Sequence, residues 1–140
     1  MAEVFDGVPT RFPGLREIEA RTLERFARTV APRGKFTVNL KFPFPEDRLP
    51  LGLSDPEKRM FLENKAKRIE GVLELPTEVW LIEVKERLVP SALGELLLYE
   101  GLYRQHFPTG KKLVKVCVAT EDDALLRPSF EAAGVRVFII

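Results

Sequence analysis

Three residues in the stretch RIEGVLELPTEVWLIEVKER, residues 68 to 87, have the types and spacing to do chemistry: Glu70, Glu83 and Lys85. Two carboxylates brought close together repel unless a cation or a proton sits between them. A hard divalent cation such as Mg²⁺ takes oxygen ligands and keeps several waters. Bound there, it would stabilise charge on an attacked phosphodiester and make its own water more acidic. A lysine alongside can orient or deprotonate the attacking water, or offset the charge that builds at phosphorus. This chemistry requires all three side chains to reach one place.

A hairpin can bring them there. Residues 68–75 and 80–85 read as extended runs around a Pro76-Thr77 turn. Side chains alternate along a strand. Trp80, Ile82 and Val84 therefore share one face, and Leu81, Glu83 and Lys85 the other. In the first run Ile69, Gly71, Leu73 and Leu75 share one face, and Arg68, Glu70, Val72 and Glu74 the other. Pairing Leu75 with Glu78 puts Glu70 opposite Glu83 and Arg68 opposite Lys85, with Cβ atoms about 5 Å apart. The same acids also fit a solvated sheet face on which Lys85 and Arg68 neutralise them.

A third acid precedes the hairpin. The segment GLREIEARTLERFARTVA, about 15–31, has helical periodicity and is stopped by Pro32 and Gly34. At about 100° per residue, Glu19 lands inside the stripe formed by Leu15, Ile18, Leu23, Phe26 and Val30, while Glu17 and Glu24 face away. A carboxylate in a buried stripe needs a partner. Glu19 either aims at the same cation as Glu70 and Glu83, or escapes to solvent or an arginine near the helix start.

The remaining elements complete an α/β chain. KFTVNLKF, 35–42, alternates as a strand, and PFPEDRLPLGLSDP, 43–56, is an irregular loop. A short helix, PEKRMFLENKA, follows, with Ser54 or Asp55 as cap and Pro56 in its first turn. After the hairpin, PSALGELLLYEGLYRQHF is a second long helix, capped by Ser91 and ended by Pro108 to Gly110. Then come a buried strand KKLVKVCVAT, a helical segment broken at Pro128 and closed by Gly134, and a last strand VRVFII. Strand, helix, strand in this order predicts a right-handed parallel crossover. The fold expected is a mixed sheet with an antiparallel hairpin and flanking helices. Residues 1–13 are read as an N-terminal arm and 14–140 as one domain.

Composition narrows the class. The chain has 140 residues, 45% of them hydrophobic and 31% charged, with a net charge of +1. That describes a single globular domain and not a disordered chain. No run approaches the about 20 apolar residues that span a membrane, and the N-terminus lacks a secretion signal. The single cysteine, Cys117, lies in an apolar strand and cannot pair internally, which fits a reducing, cytoplasmic setting. His106 is the only histidine, which excludes a histidine-based zinc site or a Ser-His-Asp set, and no phosphate-binding glycine loop occurs.

The sequence resembles the PD-(D/E)xK nuclease superfamily. Glu83-Val84-Lys85 in WLIEVKER looks like that family's (D/E)xK strand, Glu70 occupies the place of its acid on the preceding strand, and Glu19 matches the glutamate of its first core helix. The element order matches the family core of helix, three antiparallel strands, helix and strand from about residue 14 to 119. ALGELLLYEGLY is similar to the Gln-x-x-x-Tyr helix of RecB-like members, with Glu95 where glutamine is usual and Tyr99 in place. Holliday-junction-resolvase-like branches fit as well. Two departures stand out: Glu70 replaces the usual aspartate, and Glu95 the usual glutamine.

The resemblance implies a restriction-endonuclease-like core and Mg²⁺-dependent hydrolysis of DNA, with Mn²⁺ as a substitute and a homodimer as a common assembly. It assigns the metal to Glu70, Glu83, the Val84 carbonyl and Glu19, and positioning of the nucleophile to Lys85. Arg68, Arg87, Tyr99, Glu95 and the arginines of the first helix (Arg16, Arg21, Arg25, Arg28) are the candidates to meet nucleic acid, the arginines through sequence-independent phosphate contacts. Two rivals fit the same residues: a catalytically degenerate module that binds DNA or a partner protein, and a structural component whose acids sit in salt bridges.

Overall fold

In the computed structural model, which describes residues 2–140, the extended runs form one six-stranded mixed sheet flanked by four α-helices. The order is β1 (Glu3–Asp6), α1 (Glu17–Thr29), β2 (Lys35–Phe42), α2 (Asp55–Lys65), β3 (Lys67–Glu74), β4 (Glu78–Arg87), α3 (Pro90–His106), β5 (Lys112–Glu121), α4 (Arg127–Ala132) and β6 (Val135–Ile139). The strands lie side by side in sequence order. Pairings from β1 to β4 are antiparallel, and β4–β5 and β5–β6 are parallel, each crossing through one helix.

Apolar residues on both faces hold three layers together. On one face α1 lays Leu23 and Phe26 against Phe36, Val38, Leu73, Trp80 and Ile82. Phe26 is fully buried and meets Trp80 and Phe138 at ring-centroid distances of 6.4 and 5.2 Å. Burying such a ring contributes about 1.5–3 kcal/mol. On the opposite face α3 covers two clusters. Tyr99 and Tyr103 pack with Phe42, Ile69, Val72 and Leu81, and Ala92 and Leu96 pack with Cys117, Ala119 and Phe130. The hairpin acids lie on β3 and β4, in the middle of this sandwich.

The hairpin register is the expected one: Gly71 faces Ile82, Val72 faces Leu81, Leu73 faces Trp80 and Glu74 faces Val79. The short helix also forms as read, with the Ser54 hydroxyl accepting from Glu57 N–H and the Glu57 carboxylate accepting from Ser54 N–H.

Several expectations are corrected. Residues 3–6 of the presumed arm are a strand, because β2 would otherwise leave a row of unpaired N–H and C=O groups at the sheet edge; Met1 lies outside the described residues. Ile18 and Val30 are 44% and 42% exposed, so the buried stripe of α1 is narrower than the periodicity suggests. Val89, not Ser91, is the N-cap of α3, with Pro90 in the first turn, where its missing N–H costs nothing.

The largest correction concerns side-chain alternation. Phe36 and Val38 face α1, whereas Leu40 and Phe42 face α3. In the neighbouring strand Leu73 faces α1, but Ile69 packs with Val72 on the α3 side. The alternation reverses in both strands, at Asn39 in β2 and at Glu70 in β3.

Candidate functional site

The β3–β4 ladder ends at Gly71–Ile82, one pair short of Glu70 and Glu83. Leu75 N–H bonds Glu78 C=O, so every second pair from there is a hydrogen-bonded one. A continued ladder would send Val84 N–H to the carbonyl of Ile69. It donates instead to the Glu70 carboxylate, at 2.5 Å. The side chain of Glu70 thus fills the gap where the two strands part.

Glu83 stands on the α3 face of β4 and is only 2% exposed. Its Oε1 lies 3.7 Å from Lys85 Nζ. Its Oε2 is buried without a hydrogen-bond partner. An orphaned buried carboxylate oxygen is costly, and a native site retains one where a proton or a cation completes it. Burial first, and then the charges of Glu70 and Glu95, push the Glu83 carboxyl far above the usual range, against the pull of Lys85. Glu70 is raised too, by burial and then by Glu19, although the Val84 N–H favours its charged form. Without a cation these two acids are not ionised together at neutral pH.

Lys85 is half-buried, with Nζ 3.4 Å from Glu95 Oε1 as well as near Glu83. Burial pulls its pKa down, but Glu83, Glu95 and Glu70 outweigh that and hold it above the ordinary lysine value. It remains an ammonium. Glu95 therefore serves Lys85 from the first turns of α3. Tyr99, one turn further, is 9% exposed and stacks on Phe42 at 6.3 Å, so it packs inward. Its hydroxyl is raised by burial and then by Glu83, Glu95 and Glu70, which places it among the same acids.

Glu19 reaches the group from the α1 side. Its Oε1 accepts both Arg16 N–H and Arg16 Nε at 3.1 Å, closing the start of the helix. It also neighbours Glu70 closely enough to exchange a hydrogen bond. Burial raises its pKa, but Glu70 and Arg16 bring the net shift below the usual value. Glu19 thus does two things that the sequence offered as alternatives: it takes an arginine at the helix start and it adjoins the hairpin acids.

The arginines separate. Arg68 is held by Glu63, which Lys41 also pairs at 3.0 Å. Arg21 pairs with Glu17 at 2.5 Å and Arg28 lies 3.7 Å from Glu24. Arg25 is exposed on the outer side of α1. Arg87 is exposed and joins Arg16 and Lys85 in lining an open cleft of about 420 Å³, with Glu86, Val89 and Glu121. Among the described residues, no ion pair holds Arg87.

The donor set suits a hard cation. Glu70 and Glu83 offer carboxylate oxygens, and the buried Glu83 Oε2 can be completed by a cation or by a proton shared with Glu70 or Glu95. Among the described residues, no three His, Cys, Asp or Glu side chains already close a metal cage. Mg²⁺ is usually bound through one or two carboxylates with several waters retained. The chain matches no family model, no curated protein and no solved structure.

Sequence reasoning missed Asn39. It is 2% exposed, has φ 60°, and its Nδ2 is buried without a partner. Asparagine is depleted in strands and tolerates left-handed backbone, and that was the available signal. Cys117 is buried as read, and burial pushes its thiol up to about 12, so it is not a nucleophile.

Proposed function

We propose that this chain is a divalent-metal-dependent nuclease of the PD-(D/E)xK type, hydrolysing DNA phosphodiesters with Mg²⁺, or Mn²⁺ in its place. The single observation that carries the reading is the buried, unpartnered Oε2 of Glu83 beside Glu70 and Lys85. Supporting it, the run α1, β2, β3, β4, α3, β5 follows the restriction-endonuclease-like order of helix, three antiparallel strands, helix and strand. The parting of β3 from β4 seats the Glu70 carboxylate in the sheet beside Glu83.

The roles proposed are those the resemblance implies. Glu70 and Glu83 would hold the cation, with the Val84 carbonyl, and Glu19 would act on it through Glu70 or a water. When bound, the cation would acidify water and screen the phosphate. Val84 N–H fixes the Glu70 carboxylate in place. Glu95 steers Lys85, whose ammonium would orient the attacking water and offset charge at phosphorus. The new O–P bond forms as one ester oxygen leaves, giving a phosphate monoester and a free hydroxyl. Arg16 and Arg87, at the rim with Lys85, would take flanking phosphates.

The deciding assay follows cleavage of duplex, single-stranded and branched DNA with Mg²⁺, Mn²⁺ or EDTA. Metal-dependent cleavage by the wild type that Glu83→Gln loses is the expected result. Binding of DNA without cleavage under every condition would favour the degenerate module instead, a reading that Glu95 in place of the family's glutamine also suits.

A further inference from the structure

Asn39 and Glu70 occupy opposite positions in the β2–β3 ladder, and theirs is the pair that the ladder omits. Val38 pairs with Gly71 on one side of the gap and Leu40 with Ile69 on the other. Asn39 is the one non-glycine residue with positive φ among those described, at 60°. A single left-handed residue inside a strand turns the following side chains to the other face. That is what happens here: Val38 faces α1 and Phe42 faces α3. β3 stays in register with β2 only by reversing as well, and it does so at Glu70.

Gly14 locks the arrangement. It also has positive φ, 78°, and a Cβ there would collide with the Asn39 amide. The loop before α1 therefore presses main chain against Asn39, which leaves Nδ2 buried and unpaired. A regular β2 would hold β3 in regular alternation. Glu70 would then stay with Val72 on the α3 face, and Val84 N–H would find the Ile69 carbonyl.

We infer that Asn39 is a positioning residue for Glu70: its left-handed backbone, seated against Gly14, breaks the alternation of β2 and β3 and so turns the Glu70 carboxylate from the α3 face to Val84 N–H. The consequence for metal binding rests on the function proposed above, whereas the structural content does not. The backbone dihedral carries the effect and the amide does not. Glycine, which adopts positive φ freely, preserves it, and alanine, which resists positive φ, does not.

The test uses the full chain and two readouts. The first needs no metal: the ¹H–¹⁵N resonance of Val84 is compared with and without Glu70→Gln. In the wild type and in Asn39→Gly, Glu70→Gln moves that resonance; in Asn39→Ala it leaves it in place. The second is the Mn²⁺ dissociation constant by calorimetry. It stays within about twofold of wild type in Asn39→Gly and weakens about tenfold or more in Asn39→Ala, as removal of a ligand's support commonly does. Asn39→Ser, with the same backbone preference as alanine, takes its place and gives the same pattern should Asn39→Ala not fold. The inference is overturned if Glu70→Gln moves Val84 equally in wild type and Asn39→Ala, or if Asn39→Gly behaves as Asn39→Ala does. A wild type that binds no Mn²⁺ but passes the resonance test would remove the metal reading and leave the role of Asn39 standing.

Discussion

Glu70 accepts the main-chain N–H of Val84 at 2.5 Å, across a point where β3 and β4 have stopped pairing. A side-chain carboxylate has taken the place of a ladder carbonyl. This costs the sheet one regular hydrogen bond and leaves an acid fixed beside Glu83, whose buried Oε2 has no partner. Folding gains nothing obvious from two half-satisfied acids in a core. A ligand would.

Lys85 is the residue whose loss should separate chemistry from stability. Its contacts to Glu83 and Glu95 are long, 3.7 and 3.4 Å, and it is partly solvated. Lys85→Met should lower the cleavage rate by about 10²-fold or more, the scale on which positioned acid–base groups act. The melting temperature should move little. Single-turnover kinetics beside a thermal melt reads both quantities.

Glu19 has a capping role and a site role that different substitutions pull apart. Glu19→Ala removes the acceptor for Arg16 N–H and should cost about 1 kcal/mol of stability. Glu19→Gln keeps an acceptor oxygen there but removes the charge beside Glu70. Denaturant unfolding should place Glu19→Gln near wild type and Glu19→Ala below it. Metal titration should weaken for both. A loss of metal affinity in Glu19→Ala alone would make Glu19 a cap and nothing more.

The features legible in the sequence were those set by local periodicity. The hairpin register followed from alternation and the position of the turn as far as Gly71 and Ile82, one pair short of Glu70 and Glu83. Ser54 and Pro56 announced α2. What stayed hidden depends on contacts distant in sequence. β1 exists because β2 has an edge to be covered, and four residues near prolines carry no strand signal of their own. The reversal at Asn39 is invisible to a period-two reading, which assumes unbroken alternation and so assigned Ile69 to the wrong face. The resemblance made Tyr99 a candidate to meet nucleic acid, whereas its ring packs on Phe42, brought round by that reversal. The arginines of α1 read as a basic face, but most are paired with acids one turn away.

The pH response of the metal-free protein has a definite sign. Glu70 and Glu83 are raised above the ordinary glutamate pKa of about 4.3. Between the unfolded and folded values the folded state binds more protons, so stability falls as pH rises through that window. Melts in EDTA should therefore show decreasing Tm from mildly acidic to mildly alkaline pH. Saturating Mg²⁺ should flatten the slope by holding both acids ionised. Below the ordinary range the trend reverses, because Glu63, Glu57 and Glu19 are lowered by their partners and lose that stabilisation on protonation.

Arg87 and Arg68 should behave differently despite similar sequence settings. Arg87 lines the cleft with Lys85 and has no acid partner among the described residues, whereas Arg68 is tied to Glu63. Arg87→Ala should weaken DNA binding and reduce the salt slope of log K by about 1. Arg68→Ala should leave the slope unchanged. Fluorescence anisotropy over a salt series, with Ca²⁺ in place of Mg²⁺ to hold substrate uncut, gives both values.

The central claim is that Glu70 and Glu83 hold a divalent cation, and a thermal melt addresses it most directly. Wild type and Glu83→Gln are melted in EDTA and in Mg²⁺. At about a hundred times the dissociation constant, metal binding to the folded state adds about 2.7 kcal/mol. The account predicts that wild type gains several degrees in Mg²⁺. It predicts that Glu83→Gln, with one buried acid fewer, melts above wild type in EDTA and ignores the metal. A wild type that melts at one temperature with and without millimolar Mg²⁺ and Mn²⁺ would contradict it, and the hairpin acids would then be a proton-sharing pair in a structural core.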